Sequence, residues 1–470
     1  MRSPTDPPPK RTSCTCARSR ASRRELLKQA MGIGATIGLS RSRTAAAQMQ
    51  EPERLKPIGE AQGVHPGRVV WVHDPRAANW RGPGNGHWYE PACTDQERVD
   101  RMVERAVGEL CSETSAARAW NRLFRHLNAT RGRGDRGYKT GEKVVIKPNW
   151  VGMIFREGAV DPESYTFIQR PDYMNTSPQM IIALLRQLTA TVGVREADIT
   201  ICDTLAYIVH EYYNILHAGF PNVPFVDYAG KFGRTRAQPS SIPVYWSCRP
   251  KDQAPDFLPV CFAEAEYVIN LASLKAHTRT GVTLCGKNHF GSLVRWPVQS
   301  GYYDMHRGSF SESTRAYREQ VDLMGHTHLG GKTVLHLIDG LYSGKHPIDP
   351  APRRWKSQPF NGRWTASLLA SQDPVAIDSV GFDFLWTEWT DYPRRNGTDD
   401  YLHEAALAGN PPSGTFYDPH HPAPVQRLAS LGVHEHWNNA QEKKYSGNLG
   451  TGKGIELLAV SPEGAASTQA

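Results

Sequence analysis

Between Glu266 and Gly291 the chain reads EYVINLASLKAHTRTGVTLCGKNHFG, and Asn270, Lys275, His277, Thr278, Thr280, Thr283, Lys287 and Asn288 fall within nineteen of those positions. The stretch offers almost only hydrogen-bond donors: two ammonium groups, an imidazole, hydroxyls and amides. Such a set suits an anion. Gly281 and Gly286 interrupt it and would let the backbone approach a ligand closely. His277 is the best acid/base candidate, because an unperturbed imidazole titrates near neutrality. Lys275, if buried among other cations, can lose its proton and act as base or nucleophile. Taken singly, each lysine reads as a solvated charge and His277 as a satisfied loop histidine. Taken together, Thr and Asn beside Lys describe a pocket.

The elements that must position these residues lie on either side. Tyr267-Val268-Ile269 reads as the end of a buried strand. A helix beginning near Thr280 would put Thr280, Thr283 and Lys287 on one face, with Gly291 at its C-cap. Other strands are expected over 67–75, 143–149, 198–203, 224–227, 333–338, 366–370 and 455–460. Helical spacing fills 95–127, 208–218 and 374–386, and Asn175-Thr176-Ser177-Pro178 starts a helix running to Ala190. Strand, helix, strand at this spacing implies parallel pairing through right-handed crossovers. The expected fold is therefore α/β: a mostly parallel sheet with flanking helices, irregular insertions near 151–172 and 297–330, and a proline-rich, loop-rich C-terminal region. Residues 48–470 would make one large domain or two lobes.

Several of these strands end in polar residues: Asp74, Lys147 with Asn149, Asp203, Asn270 leading to Lys275, and Asp339. In open α/β sheets the ligand crevice lies outside that carboxyl edge. Lys147, Lys275 and Lys287 would there hold an anion, with Asn149, Asn270, Thr278, Thr283 and Asn288 as further contacts. Asp203 and Asp339 would bind a divalent metal or shift protons. Asp373 precedes Pro374 and reads as an N-cap, with a short helix expected again over 425–431. Asp378, among Val375, Ile377 and Val380, is a carboxylate in an apolar setting that needs a partner, and it joins His277 and Lys275 as a catalytic candidate.

Ser22-Arg23-Arg24-Glu25-Leu26-Leu27-Lys28, an apolar run from Ala30 to Leu39 and Ala45-Ala46-Ala47 have the form of a twin-arginine signal with its cleavage site. The expected partner is the twin-arginine translocation machinery, and the expected location periplasmic or extracellular. That route carries folded chains and often cofactor-loaded ones. Residues 1–47 hold ten of the 55 basic and two of the 47 acidic residues, leaving 45 of each. A chain so balanced does not present a nucleic-acid or anionic-membrane footprint. No apolar stretch reaches the roughly 20 residues that a bilayer span needs. The six cysteines beyond residue 47 have no C-x-x-C spacing, so neither a cysteine-ligated iron–sulfur cluster nor a cysteine zinc site is expected. His326-Thr327-His328, His420-His421 and His434-Glu435-His436 read as surface histidines, since a metal would need ligands gathered from distant segments.

Five motifs carry a likeness: Lys147-Pro148-Asn149; Thr176-Ser177-Pro178 with its helix and Asp203; Asn270 through Lys275-Ala276-His277-Thr278 to Lys287-Asn288-His289-Phe290-Gly291; Asp339-Gly340; and Asp373 to Asp378. In these, and in their order, the chain resembles the bacterial domain-of-unknown-function family 362. The resemblance implies a shared α/β domain and no settled reaction. Some members of that family carry ferredoxin-type clusters, which the scattered cysteines here do not support. No G-x-x-x-x-G-K-[ST], G-x-S-x-G or H-E-x-x-H motif selects a chemistry. The leading expectation is an exported enzyme acting on a small phosphate- or carboxylate-bearing molecule, with or without a divalent metal. The alternatives are a non-catalytic ligand-binding or cofactor-delivery protein and a redox accessory.

Overall fold

Short β-branched runs build the first strands: β1 (Arg68–His73), β2 (Val144–Pro148) and β3 (Ile199–Cys202). Such runs fit a pleated surface buried on both faces. The computed structural model describes residues 55–154, 158–169, 171–248, 254–295, 317–346, 349–421 and 426–461. The twin-arginine segment and most of the 297–330 insertion lie outside these residues. β4 (Phe225–Asp227), β5 (Thr235–Arg236), β6 (Tyr267–His277), β7 (Gly281–Thr283), β8 (Thr333–Gly344), β9 (Ser367–Ser371) and β10 (Glu456–Val460) complete a ten-stranded sheet. Its order is β10-β1-β9-β8-β6-β2-β3-β4-β5, with β7 attached to β6. All pairs are parallel except those that β9 makes with β8 and β1, and that of β7 with β6. The fold is thus α/β with a mostly parallel sheet. β9 breaks the pattern because the described residues between it and β8 contain no crossover helix, so the chain returns antiparallel.

Alternate side chains send the strands into cores on both faces of the sheet, in three clusters. Val70, Val72, Val144, Ile146, Ile269 and Leu271 pack with α1 (Gln96–Cys111), α2 (Ala116–Thr130), α3 (Pro178–Arg186) and α4 (His210–Gly219). On the other face Val69, Trp71, Ala272, Leu274 and Leu369 pack with α5 (Cys285–Asn288), α6 (Glu319–Gly325), α7 (Pro374–Glu388) and α8 (Asp400–Ala406). No helix of the described residues is long and apolar enough to cross a membrane.

Three local expectations change. The helical span 95–127 is two helices, because Ser112 turns left-handed (φ 53°) and the Ser115 side chain caps a new start. No helix begins at Thr280: β6 continues to His277, Gly281 takes φ +78°, and β7 folds back with Thr283 opposite Lys275. Residues 426–431 form no helix.

Asp373 fastens the far side of this assembly. Its Oδ1 accepts from the N–H groups of Val375 (3.0 Å) and Ala376 (2.8 Å), and its Oδ2 from those of Gln62 (2.9 Å) and Val433 (3.1 Å). One buried carboxylate therefore caps α7 and ties two distant segments to it. Asp373→Ala strands four donors, and a buried unsatisfied donor costs about 1–3 kcal/mol. The variant is expected to lose more than about 2 kcal/mol of stability, read as a lower urea midpoint, with Asp373→Asn losing less.

Candidate functional site

β6, β2 and β3 lie side by side and parallel, so their carboxyl ends deliver Lys275 with His277, Lys147 with Asn149, and Asp203 to one rim. In the register of β6 and β2, Asn270 stands opposite Lys147. Asn288, at the end of α5, closes the rim. Its Nδ2 donates to the Lys147 carbonyl (2.9 Å) and to Asn270 Oδ1 (2.7 Å). Its Oδ1 accepts from Asn149 Nδ2 (3.0 Å) and from Lys147 Nζ (3.3 Å). Every hydrogen-bonding position of that amide is used.

Lys147 Nζ also donates to Asp203 Oδ2 (3.0 Å) and to the Pro148 carbonyl (2.5 Å). Its three protons are therefore spent within the protein, and it would act on a ligand through its charge. Asp203 in turn accepts from the N–H groups of Trp150 and Leu205. Gly291 passes so close that a Cβ there would stand 2.8 Å from Lys147 Nζ and 3.0 Å from Asp203 Oδ1. Only glycine leaves that ion pair undisturbed.

Over this web opens a cavity of about 280 Å³. Of the residues singled out from sequence, Lys147, Asn149, Asp203, His277, Lys287 and Asn288 line it. Arg295 adds a third cation, and Trp150, Leu205 and Phe290 form an apolar wall. The Arg295 guanidinium pairs with Asp256 (2.7 Å) and lies 4.5 Å from the centre of the Phe290 ring. Sequence reasoning missed Arg295 and Trp150. The only signals were their places, just after the Phe290-Gly291 turn and just after Asn149. His277 Nδ1 accepts from the N–H groups of Arg279 (3.0 Å) and Thr280 (3.1 Å), so the neutral ring carries its proton on Nε2.

The other sequence candidates lie behind or away from the lining. Lys275 is fully buried, and its Nζ donates to the Met174 carbonyl (2.5 Å). Burial, and then the neighbouring Lys287 charge, pull its pKa well below the usual lysine range, while Asp203 and Asp339 oppose the shift. Across the strand pair, the buried Thr283 hydroxyl has no hydrogen-bond partner. Asn270 is committed to the web, its Nδ2 donating to the Cys285 carbonyl and His289 Nε2. Thr278 Oγ1 meets His346 Nε2 at 2.7 Å. Asp339 accepts from the N–H groups of Ser177 (2.7 Å) and Leu341 (2.9 Å), and burial raises its pKa. It does not join Asp203 in the cavity lining. Asp378 accepts from the N–H groups of Cys285 (2.8 Å) and Gly286 (2.9 Å) and from the Tyr401 hydroxyl (3.0 Å). Burial pushes its pKa up to about 6. Its place is beneath α5, holding the start of that turn.

A base whose folded pKa lies below its unfolded one costs stability at low pH, and the cost fades as pH rises toward the unfolded value. Lys275→Met is therefore expected to melt at or above the wild-type temperature near neutral pH. Its advantage should shrink as the pH is raised toward the ordinary lysine value of about 10.4. Thermal melts of both proteins across that range check the sign.

The family described as "Domain of unknown function (DUF362)" matches residues 144–383, just over half of the chain. That span runs from the first residue of β2 into α7 and contains the whole cavity lining. No curated protein matches the chain.

Proposed function

The chain belongs to the DUF362 family, and from that premise we propose that it is an enzyme acting on a small organic anion, phosphate- or carboxylate-bearing, at the rim of β2, β3 and β6. The observation that carries this reading is the lining. Lys147, Lys287 and Arg295 face one cavity whose own carboxylate, Asp203, is matched by Lys147. Among the described lining residues, and counting Asp256 behind Arg295, cations outnumber carboxylates. A site of about 280 Å³ falls just below the range of about 300–1,000 Å³ typical of drug-sized ligands. The ligand is accordingly small, and the wall of Trp150, Leu205 and Phe290 suits a carbon skeleton over bare phosphate.

In this reading Arg295, held by Asp256, and Lys287 bring their charge to the anion. His277 gives the Nε2 proton to the reacting group as general acid. Lys275, held toward its neutral form beneath the rim, is the reserve base. The reading needs no metal at Asp203, because Lys147 already balances that carboxylate. With the export signal read in residues 22–47, the reaction would run outside the cytoplasm.

The test is a panel of small phosphates and carboxylates added to the full chain, read first by thermal shift. A ligand at a hundred times its Kd adds about 2.7 kcal/mol of stability, an easily measured rise in Tm. Lys287→Ala should lose most of the shift. His277→Gln should keep the shift and lose turnover. An equal shift in wild type and Lys287→Ala would remove the anion from this cavity, and a wild-type shift with no turnover across the panel would favour non-catalytic binding.

A further inference from the structure

The histidines read as surface residues divide: His421 is exposed, while His326 and the pair His434 and His436 are not. His434 and His436 are buried, 2 % and 4 % exposed. They sit two residues apart on an extended segment, so both side chains point the same way, toward α7. There they meet Ser379 and Asp383, four apart on one face of the helix. The spacings match: two residues of strand advance about 6.7 Å and four of helix about 6 Å.

The hydrogen bonds fix which nitrogen of each ring is occupied. The Ser379 hydroxyl donates its one proton to the Val375 carbonyl (2.7 Å), so toward His434 Nδ1 (2.8 Å) it can only accept. His434 therefore carries its proton on Nδ1 and its lone pair on Nε2. His436 Nδ1 donates to Asp383 Oδ1 (2.7 Å), and Asp383 is held in place by the Trp437 N–H and the Tyr445 hydroxyl, both at 2.9 Å. Its Nε2 points to Asp399 Oδ2, 3.6 Å away. This is the pattern of ligating histidines, in which the far nitrogen is orientated by a carboxylate or hydroxyl.

We propose that Asp399, His434 and His436 form a second site, separate from the rim cavity, that binds a divalent transition metal of the zinc class. One ligand atom from each of the three lies within 4.8 Å of the others. Tetrahedral ligands at zinc distances stand about 3.4 Å apart, so closure needs shifts of an ångström or so. Two imidazoles and one carboxylate favour zinc, iron or cobalt over magnesium or calcium, which prefer all-oxygen sets. His436 lies between two carboxylates, with Nδ1 2.7 Å from Asp383 and Nε2 3.6 Å from Asp399, and a metal would take the place of the Nε2 proton. Asp399, with a side chain 24 % exposed, provides the way in. His403, with its Nδ1 3.2 Å from the Asp399 carbonyl, packs edge-on to His434 and flanks the open side. All three ligands lie beyond residue 383, where the family match ends.

The experiment uses the full chain, stripped with chelator and dialysed against Zn²⁺, with Mg²⁺ in parallel. The wild type is expected to retain a single zinc per chain, to gain Tm on zinc addition and to ignore magnesium. His434→Gln and Asp399→Asn should each weaken zinc binding at least tenfold, and Asp383→Asn, acting through the His436 ring, should weaken it by about tenfold. The partly exposed Asp399→Asn keeps the test decisive if His434→Gln fails to fold. Failure of the wild type to hold zinc, equal uptake of magnesium, or full zinc stoichiometry in Asp399→Asn each overturns the proposal. None of these readouts depends on the rim cavity or on turnover.

Discussion

The Asn288 amide is the constraint on which the rim depends. Its two donors and two acceptor positions reach residues 147, 149 and 270, which belong to different strands or to the turn after one. A lysine at the end of a fully buried strand is otherwise intolerable, since an unmatched interior charge costs several kcal/mol. Asn288 and Asp203 together make Lys147 acceptable there. With every atom of the amide committed, the strand ends cannot drift apart without orphaning buried polar groups. The cavity floor is accordingly preorganised, with the Lys147–Asp203 pair held in one geometry.

Two buried lysines in one sheet have opposite settings. Lys147 leaves the sheet on the α5 side and finds a carboxylate, an amide and a carbonyl. Lys275 sits on the opposite pleat, where Met174 offers one carbonyl. Packing alone does not ask for an amine at Lys275, because an apolar side chain of like length would fill the strand without the desolvation cost. A residue that burdens the fold in this way belongs to the small class that breaks local rules, and such breaks cluster at working sites.

How far the chain could be read without coordinates follows from the range of the forces involved. Strand ends with Lys147, Asp203 and Asn270 were legible because β-branched runs followed by ionisable residues are local signals, and the parallel order places such ends on one edge. The hairpin at Thr280 was not, since the spacing of Thr280, Thr283 and Lys287 fits a helix as well as a turn. Gly281 decides it through positive φ and through Thr398, whose side chain stands 2.1 Å from where a Cβ would be. Asp378 was read as needing a partner such as lysine or a metal. That the partners are backbone N–H groups of α5, 92 and 93 residues away, has no sequence signature. The buried histidines escaped for the same reason. Their partners sit on α7, whose otherwise apolar run gives no hint that two polar groups on it meet a strand 53 and 55 residues on.

α7 itself explains why these distant features form one structure. It is buried nearly all round, and its buried polar groups are few: Asp373 at its cap, then Asp378, Ser379 and Asp383. Each reaches a different segment. Asp373 holds residues 62 and 433, Asp378 holds the start of α5, and Ser379 with Asp383 holds 434 and 436. An apolar helix can slide or rotate in its groove at modest cost, because dispersion is non-directional. Four directional groups with fixed partners remove that freedom. The rim is therefore set from below as well as from its own edge: the helix that fixes the C-terminal segment also fixes the turn that presents Lys287 and Asn288.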